Sequence, residues 1–221
     1  MIQDPISLAF STPFVMDLTR IRFDDMVSFI VGILLAVTAH AEAQAFAATF
    51  FGDAQTDNSG RFHFNPLLHL DISGTICFLA AGFGWPKPVL MKFEQFSRPR
   101  LYMLLASLAG PFANFLLASI AGSVIWLFRE YGVEDRVFGM VMAVNLTMAV
   151  YHLLPIPPLA GSAILPIVFP ALIKVWPSRI AGWAGAAVLI LYFGFERVSG
   201  RHDVGGILSQ LAGRLYQIFI S

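Results

Sequence analysis

The sequence predicts an all-α integral membrane protein, a polytopic helical bundle, and three observations carry that expectation. Of its 221 residues, 57% are hydrophobic and only 13% charged, with a mean hydropathy of +0.72. A soluble domain has about a quarter of its residues charged. Several apolar runs reach the ~20 residues that a helix rising roughly 1.5 Å per residue needs to cross a bilayer. Within the first of these runs, "AHAEAQAFAATFFGD" (39–53) sets His40, Glu42 and Gln44 at alternate positions. Polar groups at such depth are costly and mark function.

The totals also exclude some functions. A formal net charge of zero leaves no electrostatic basis for nucleic-acid binding. Cys77 is the single cysteine, which rules out an internal disulfide or a thiolate metal cluster. The opening "MIQDPISLAFSTPFVMDLTR" has Asp4 where a signal peptide needs a basic residue, and no convincing cleavage site. It reads as part of the mature protein, an interfacial segment over 1–26.

The first span covers 27–50, broken only by the polar trio. The alternation in "GRFHFNP" allows a short β excursion within 52–65. Residues 72–83 are apolar but too few to cross, so they read as a re-entrant or tilted segment that other helices must cover. Clear spans follow at 101–128 and 137–154, the latter ending in the rigid "LPIPPLAG". Residues 161–175 carry Pro166 and Pro170, which bend or break a helix. A fourth candidate span, 180–195, contains the small residues "AGWAGAA", which permit close helix contact. At 204–220, apolar residues recur at helical spacing around Gln210, Arg214 and Gln217, the pattern of a helix lying in the interface. The organisation is therefore 1–26, a membrane domain over 27–196, and a C-terminal interfacial helix over 197–221. Lys87, Lys92, Arg98 and Arg100 make 85–100 the most basic connection, which places it in the cytoplasm and the N-terminus outside.

A metalloprotease helix uses H-E-x-x-H. Two histidines four residues apart lie about 40° from each other around the helix and share a zinc, while the glutamate serves as general base. Here His40 and Gln44 have that spacing, but Ala41 stands at the base position and cannot take a proton. Glu42 points roughly 200° from His40 and cannot replace it. Gln44 offers a neutral amide, a poor zinc ligand.

In order along the chain stand His40, "FGD" (51–53), "NPLLHLDISGT", "FGWPKPV", "LAGPFANFLLA" and "NLTMAVYHLLPIPPLAGS". This succession, over about 27–165, closely resembles the site-2 protease family of intramembrane zinc metallopeptidases. The resemblance implies a three-helix core at 27–50, 101–128 and 137–154, with a short β excursion near 52–65. It also implies a third zinc ligand, an aspartate in L-D-G after P-x-P-x-L. This chain has Leu159-Ala160-Gly161 there. Only His40 carries over as a ligand position. The base, second histidine and aspartate correspond to Ala41, Gln44 and Ala160, so the resemblance implies the fold and argues against the activity.

Each remaining polar residue has a plain reading beside a functional one. His40 is a hydrogen-bonding relict or a surviving metal ligand. Glu42 is a buried hydrogen-bonded carboxyl, or it faces a cleft or another subunit. His152 stands where the family usually has asparagine, two turns before Ala160, and is expected near His40. His69 and Asp71 read as a hydrogen-bond pair anchoring a loop, with a metal role as the alternative, and Asn114 and Asn145 as interhelical hydrogen-bond formers; Glu42, His69, Asn114 and His152 are the candidate contacts to a partner or a polar cleft. Two functions remain. The first is a non-catalytic, pseudo-protease subunit of a bacterial-type inner or cytoplasmic membrane, with lipids and the membrane proteins of a larger complex as partners and no metal or cofactor. The second is an active metallopeptidase whose metal site is rebuilt from His40, Gln44 and His152.

Overall fold

The computed structural model describes residues 23–53, 64–89, 91–92, 95–133, 135, 137–174, 179–201 and 203–220. Almost all of the expected interfacial segment 1–26, and most of the expected β excursion at 52–65, lie outside these residues. Among the described residues the structure is helical and holds no strand. The nearest thing to one is an isolated antiparallel bridge between Leu70 and Pro86.

Two helices are long and apolar enough to cross a membrane: α1, Phe23–Phe50, and Pro99–Glu130, labelled α4 below. Between them lie the single turn α2, Pro66–His69, and α3, Ile72–Ala81. α3 starts at an Asp71 cap, whose carboxylate accepts from the Gly74 backbone at 2.9 Å. It ends at Gly82, whose left-handed backbone (φ 81°) suits glycine. At ten residues it is about 15 Å long, which fits the expectation of a segment too short to cross.

α5 spans Val137–Tyr151, three residues shorter than expected from the apolar run. Leu154 and Ile156 each precede a proline, which disfavours helical backbone. The chain instead turns back, and the Gly161 N–H donates to the His152 carbonyl at 2.7 Å. Beyond the turn the expected break at 161–175 takes the form of 3₁₀ turns Ala160–Ile164 and Pro170–Lys174 around the single turn α6, Leu165–Val168. α7, Arg179–Ser199, and α8, Val204–Ile220, complete the chain.

α1, α4 and α5 pack mutually, with α4 antiparallel to the other two. Gly32 lets α1 approach Val144 of α5 closely. Phe29, Ala36 and Val37 of α1 bury against Met140, Val144 and Met148 of α5. Ala118, Ala121 and Ile125 of α4 bury against Val141, Leu146 and Val150 of α5, and Ala212 and Tyr216 of α8 join that cluster.

α8 therefore uses part of its apolar stripe against protein. It runs antiparallel along α5, with Tyr151 donating to the Gly205 carbonyl at 3.3 Å near its start. Near its end Phe219 packs on Phe115 and Arg129 donates to the Ile220 carbonyl at 2.8 Å. Part of the apolar spacing read from the sequence as an interfacial helix is taken up by this packing, while Ile207, Leu211 and Ile218 stay exposed. The start of α8 is held by Glu196, a buried carboxylate on α7 that accepts from the Val204 N–H at 2.8 Å and the Gly205 N–H at 3.1 Å.

α7 passes so close to the Pro157 turn that a Cβ on Gly185 would run into the Pro157 carbonyl, whereas Gly182 and Gly194 of the same helix face open space. Gly185→Ala should lower stability by about 1–3 kcal/mol through overpacking. Gly194→Ala should leave stability unchanged or raise it by about 0.5–1 kcal/mol through helix propensity. Thermal unfolding of the two variants in detergent checks this, and equal responses would refute the close approach.

Candidate functional site

The site is built from α1, α4 and the turn after α5. In α4 the segment "LAGPFAN" (108–114) serves His40 and Gln44 at successive levels. A Cβ on Gly110 would strike the His40 ring, so glycine there is what lets the imidazole lie against α4. Pro111 has no N–H, and in an α-helix the missing bond is the one to the carbonyl four residues back, Ser107. Gln44 fills that vacancy, its Nε2 donating to the Ser107 carbonyl at 2.8 Å. One turn on, Asn114 sends its amide nitrogen to the Ala36 carbonyl and to Asn145 Oδ1, both at 2.9 Å. Asn145 in turn donates to the Val141 carbonyl at 2.8 Å.

With its nitrogen so engaged, Asn114 turns its oxygen to His40 Nδ1 at 2.7 Å. An oxygen acceptor requires a proton on Nδ1, so the neutral ring keeps its lone pair on Nε2. Gln44 Nε2 approaches that atom at 3.3 Å with its second N–H. The amide of Gln44 thus makes two donations, one to a backbone carbonyl and one to the nitrogen that would bind a metal.

The sequence expectation that His152 approaches His40 is met: the ring centroids are 4.1 Å apart, tilted by 55°. His152 is itself fully engaged. Its Nε2 faces the Gly84 carbonyl at 3.1 Å, which makes it the donor, and its Nδ1 receives the Ala160 N–H at 3.4 Å. Ala160 is thereby one imidazole away from His40. His40, Ala41, Gln44, Ala160 and His152 are all buried.

A catalytic zinc takes three protein ligands, with imidazole nitrogen at about 2.0–2.1 Å. His40 is oriented as a ligand would be, its other N–H fixed by a carboxamide. The remaining donors do not fit. Gln44 presents N–H rather than a lone pair, Ala160 presents a methyl, and both nitrogens of His152 are used. Among the described residues no group of three His, Cys, Asp or Glu side chains is placed to hold a metal ion.

On the opposite face of α1, Glu42 meets His69 of α2, Oε1 to Nε2, at 3.1 Å. This bears on two expectations. Of the two readings left open for Glu42, a partner within the chain or a contact to a cleft or another subunit, the first has a concrete basis in His69. His69 and Asp71, expected to pair with each other, instead part company. Asp71 caps α3, accepts from Ser73, and accepts from Trp85 Nε1 at 3.2 Å. His69 also offers its carbonyl to the Lys87 N–H at 2.7 Å, which ties α2 to the segment after α3. The links through Glu196 and from Gln44 to Ser107 were not anticipated. Pro111 in the helical run was the readable clue to the second.

Helices long enough to cross a membrane, gathered around a buried histidine at the position of a metal ligand in the motif, match a metallopeptidase-like membrane scaffold. A protein of Bacillus subtilis (strain 168) described as "Putative zinc metalloprotease YwhC" is 33% identical over 176 residues, covering 76% of this chain and 80% of that one. The chain belongs to this family of zinc metalloproteases, which fits the site-2 protease motifs read from its sequence. Neither a family model nor a solved structure matches it.

Asn114→Ala would strand the His40 N–H and the Asn145 oxygen in a dry core. At ~1–3 kcal/mol for each unsatisfied group, it should cost about 2–6 kcal/mol in unfolding measurements. For the opposite face, Glu42→Leu should lower stability by about 1–3 kcal/mol. A double-mutant cycle with His69→Leu should show coupling, and strict additivity would dissolve the pair.

Proposed function

We propose that this chain is a non-catalytic member of its family, a polytopic membrane subunit that keeps the protease scaffold to bind transmembrane helices of partner proteins. The observation that carries the reading is the donation from Gln44 to His40 Nε2. A site whose best ligand atom is already satisfied by an amide, and whose base position is the buried Ala41, has the chemistry of a packed core. Proton transfer by a positioned base contributes about 10²–10⁴ to rate, and that contribution has no side chain here. The family resemblance implies a scaffold that admits a transmembrane helix, and a surface of that kind would remain useful once cleavage is gone, which supports the partner-binding role.

A rearranged metal site made of His40, Gln44 and His152 is the second reading, favoured by the 4.1 Å ring contact. It requires Gln44 to turn its oxygen inward and His152 to release both of its backbone partners. Metal analysis of protein purified without added zinc separates the two. Background zinc is expected, and near-stoichiometric zinc lost on His40→Ala would establish the second reading. Ala41→Glu alone should give no peptidase activity on a transmembrane substrate, because the other two positions still lack ligands. Activity in that variant would reveal a working metal site.

A further inference from the structure

Next to the His40 site lies a second buried cluster, toward one end of the core. Gln44 of α1, the Ser107 carbonyl of α4 and Ala160 of the turn after α5 belong to the site. One turn further along each of these elements stand Ala48, Met103 and Ala163, which bury together with Ala106. Because α1 and α4 are antiparallel, the steps from 44 to 48 and from 107 to 103 lead the same way. They reach about 6 Å toward the end where α1 finishes and α4 starts. The remaining buried member of the cluster, Phe96, comes from none of the three elements. It belongs to the connection between α3 and α4.

The segment around Phe96 has the build of a cover. Phe96 is 3% exposed and Met91 is half-buried against the same cluster, while Lys92, Gln95, Ser97 and Arg98 are exposed. Its described residues thus send apolar side chains inward and polar ones to the surface. The Lys92 N–H donates to Asp53 Oδ2 at 3.1 Å, and the Gln95 carbonyl lies 3.5 Å from where a Cβ on Gly52 would stand, so the segment runs over the end of α1. Among the described residues its anchors are two apolar side chains and one bond to a carboxylate. A connection held in that way opens locally at less cost than the helices beneath it. We propose that residues 91–98 form a displaceable cover that closes this end of the His40 site, with Phe96 as its plug and Asp53 as its latch. The cover decides whether water, or a side chain of a partner helix, reaches Gln44 and His40 from this end. It rests on the cluster and on neither reading of the site.

Three methionines of the unaltered chain supply the test. Met103, beneath the cover, and Met142 and Met148, in the packing of α5, are all 0% exposed. Met148 lies three residues from the end of α5 and Met103 four residues from the start of α4, so fraying of helix ends is matched between them. The full chain in detergent is treated with hydrogen peroxide, a small polar oxidant, and sulfoxide is followed at each methionine by mass spectrometry. Met103 should oxidise faster than Met142 and Met148. Phe96→Ala should speed oxidation of Met103 by about ten-fold or more and leave the other two unchanged. Asp53→Ala should act in the same direction without touching the apolar cluster, and Phe96→Leu should stay within about three-fold of the unaltered chain. If Phe96→Ala fails to fold, the unaltered chain and Asp53→Ala still decide. Equal rates at all three methionines in the unaltered chain, or a rise at all three together in the variants, would overturn the cover and make Phe96 a fixed part of the core. Either result would leave the zinc measurement, and the choice between the two readings, untouched.

Discussion

One carboxamide holds the core in register. Asn114 is completely buried and spends both its oxygen and its nitrogen on groups of the two neighbouring core helices. Few residues can do this, because the position needs an acceptor and two donors on one short planar group. Sliding α4 along α1 by even one residue would move the amide about 1.5 Å and break every one of these bonds. The cost of unpaired polar groups in a dry interior makes such slippage unfavourable. Everything nearby inherits that register: the His40 tautomer, the Gly110 clearance and the level at which Gln44 meets Ser107.

The second organising feature is the way the chain closes around the turn after α5. His152 bonds backward to Gly84 and forward to Ala160, so the segment after α3 and the 3₁₀ turn after α5 are joined through one imidazole. Phe83 stacks on Tyr151 at 4.2 Å and meets Phe193 edge-on at 4.8 Å, which brings α7 onto the same turn. Tyr151 and Glu196 then hold the first turn of α8 from two sides. The outer helices are thus positioned by polar side chains at their ends and by aromatic packing between them.

Much of this was legible in the sequence, for particular reasons. Apolar length located α1 and α4, and Pro166 with Pro170 located the break after Gly161, because both signals are local. The approach of His152 to His40 was readable only through the motif order, since the two lie on different elements. Most of what escaped was polar contacts between different elements. Glu42 with His69, Glu196 with the start of α8, and Asp71 with Trp85 depend on how the helices turn about their axes. The end of α5 at Tyr151 was misjudged because hydropathy continues past it while the backbone cannot. That Ala212 and Tyr216 of α8 would be covered by α4 and α5 was not readable either, because an apolar face does not say what will cover it.

The bond from Gln44 to Ser107 also makes the present arrangement hard to leave by small steps. A histidine at 44 could keep the Ser107 carbonyl with its one N–H, but it would then turn a lone pair toward the lone pair on His40 Nε2. An aspartate at 160, or a glutamate at 41, would put a carboxylate into a dry space with no cation to meet it. Each change alone leaves a buried group without a partner, and together they make sense only around a divalent ion. A mutational route from this chain to a three-ligand metal centre therefore crosses a valley of less stable chains, and the amide of Gln44 acts as the pawl of a ratchet.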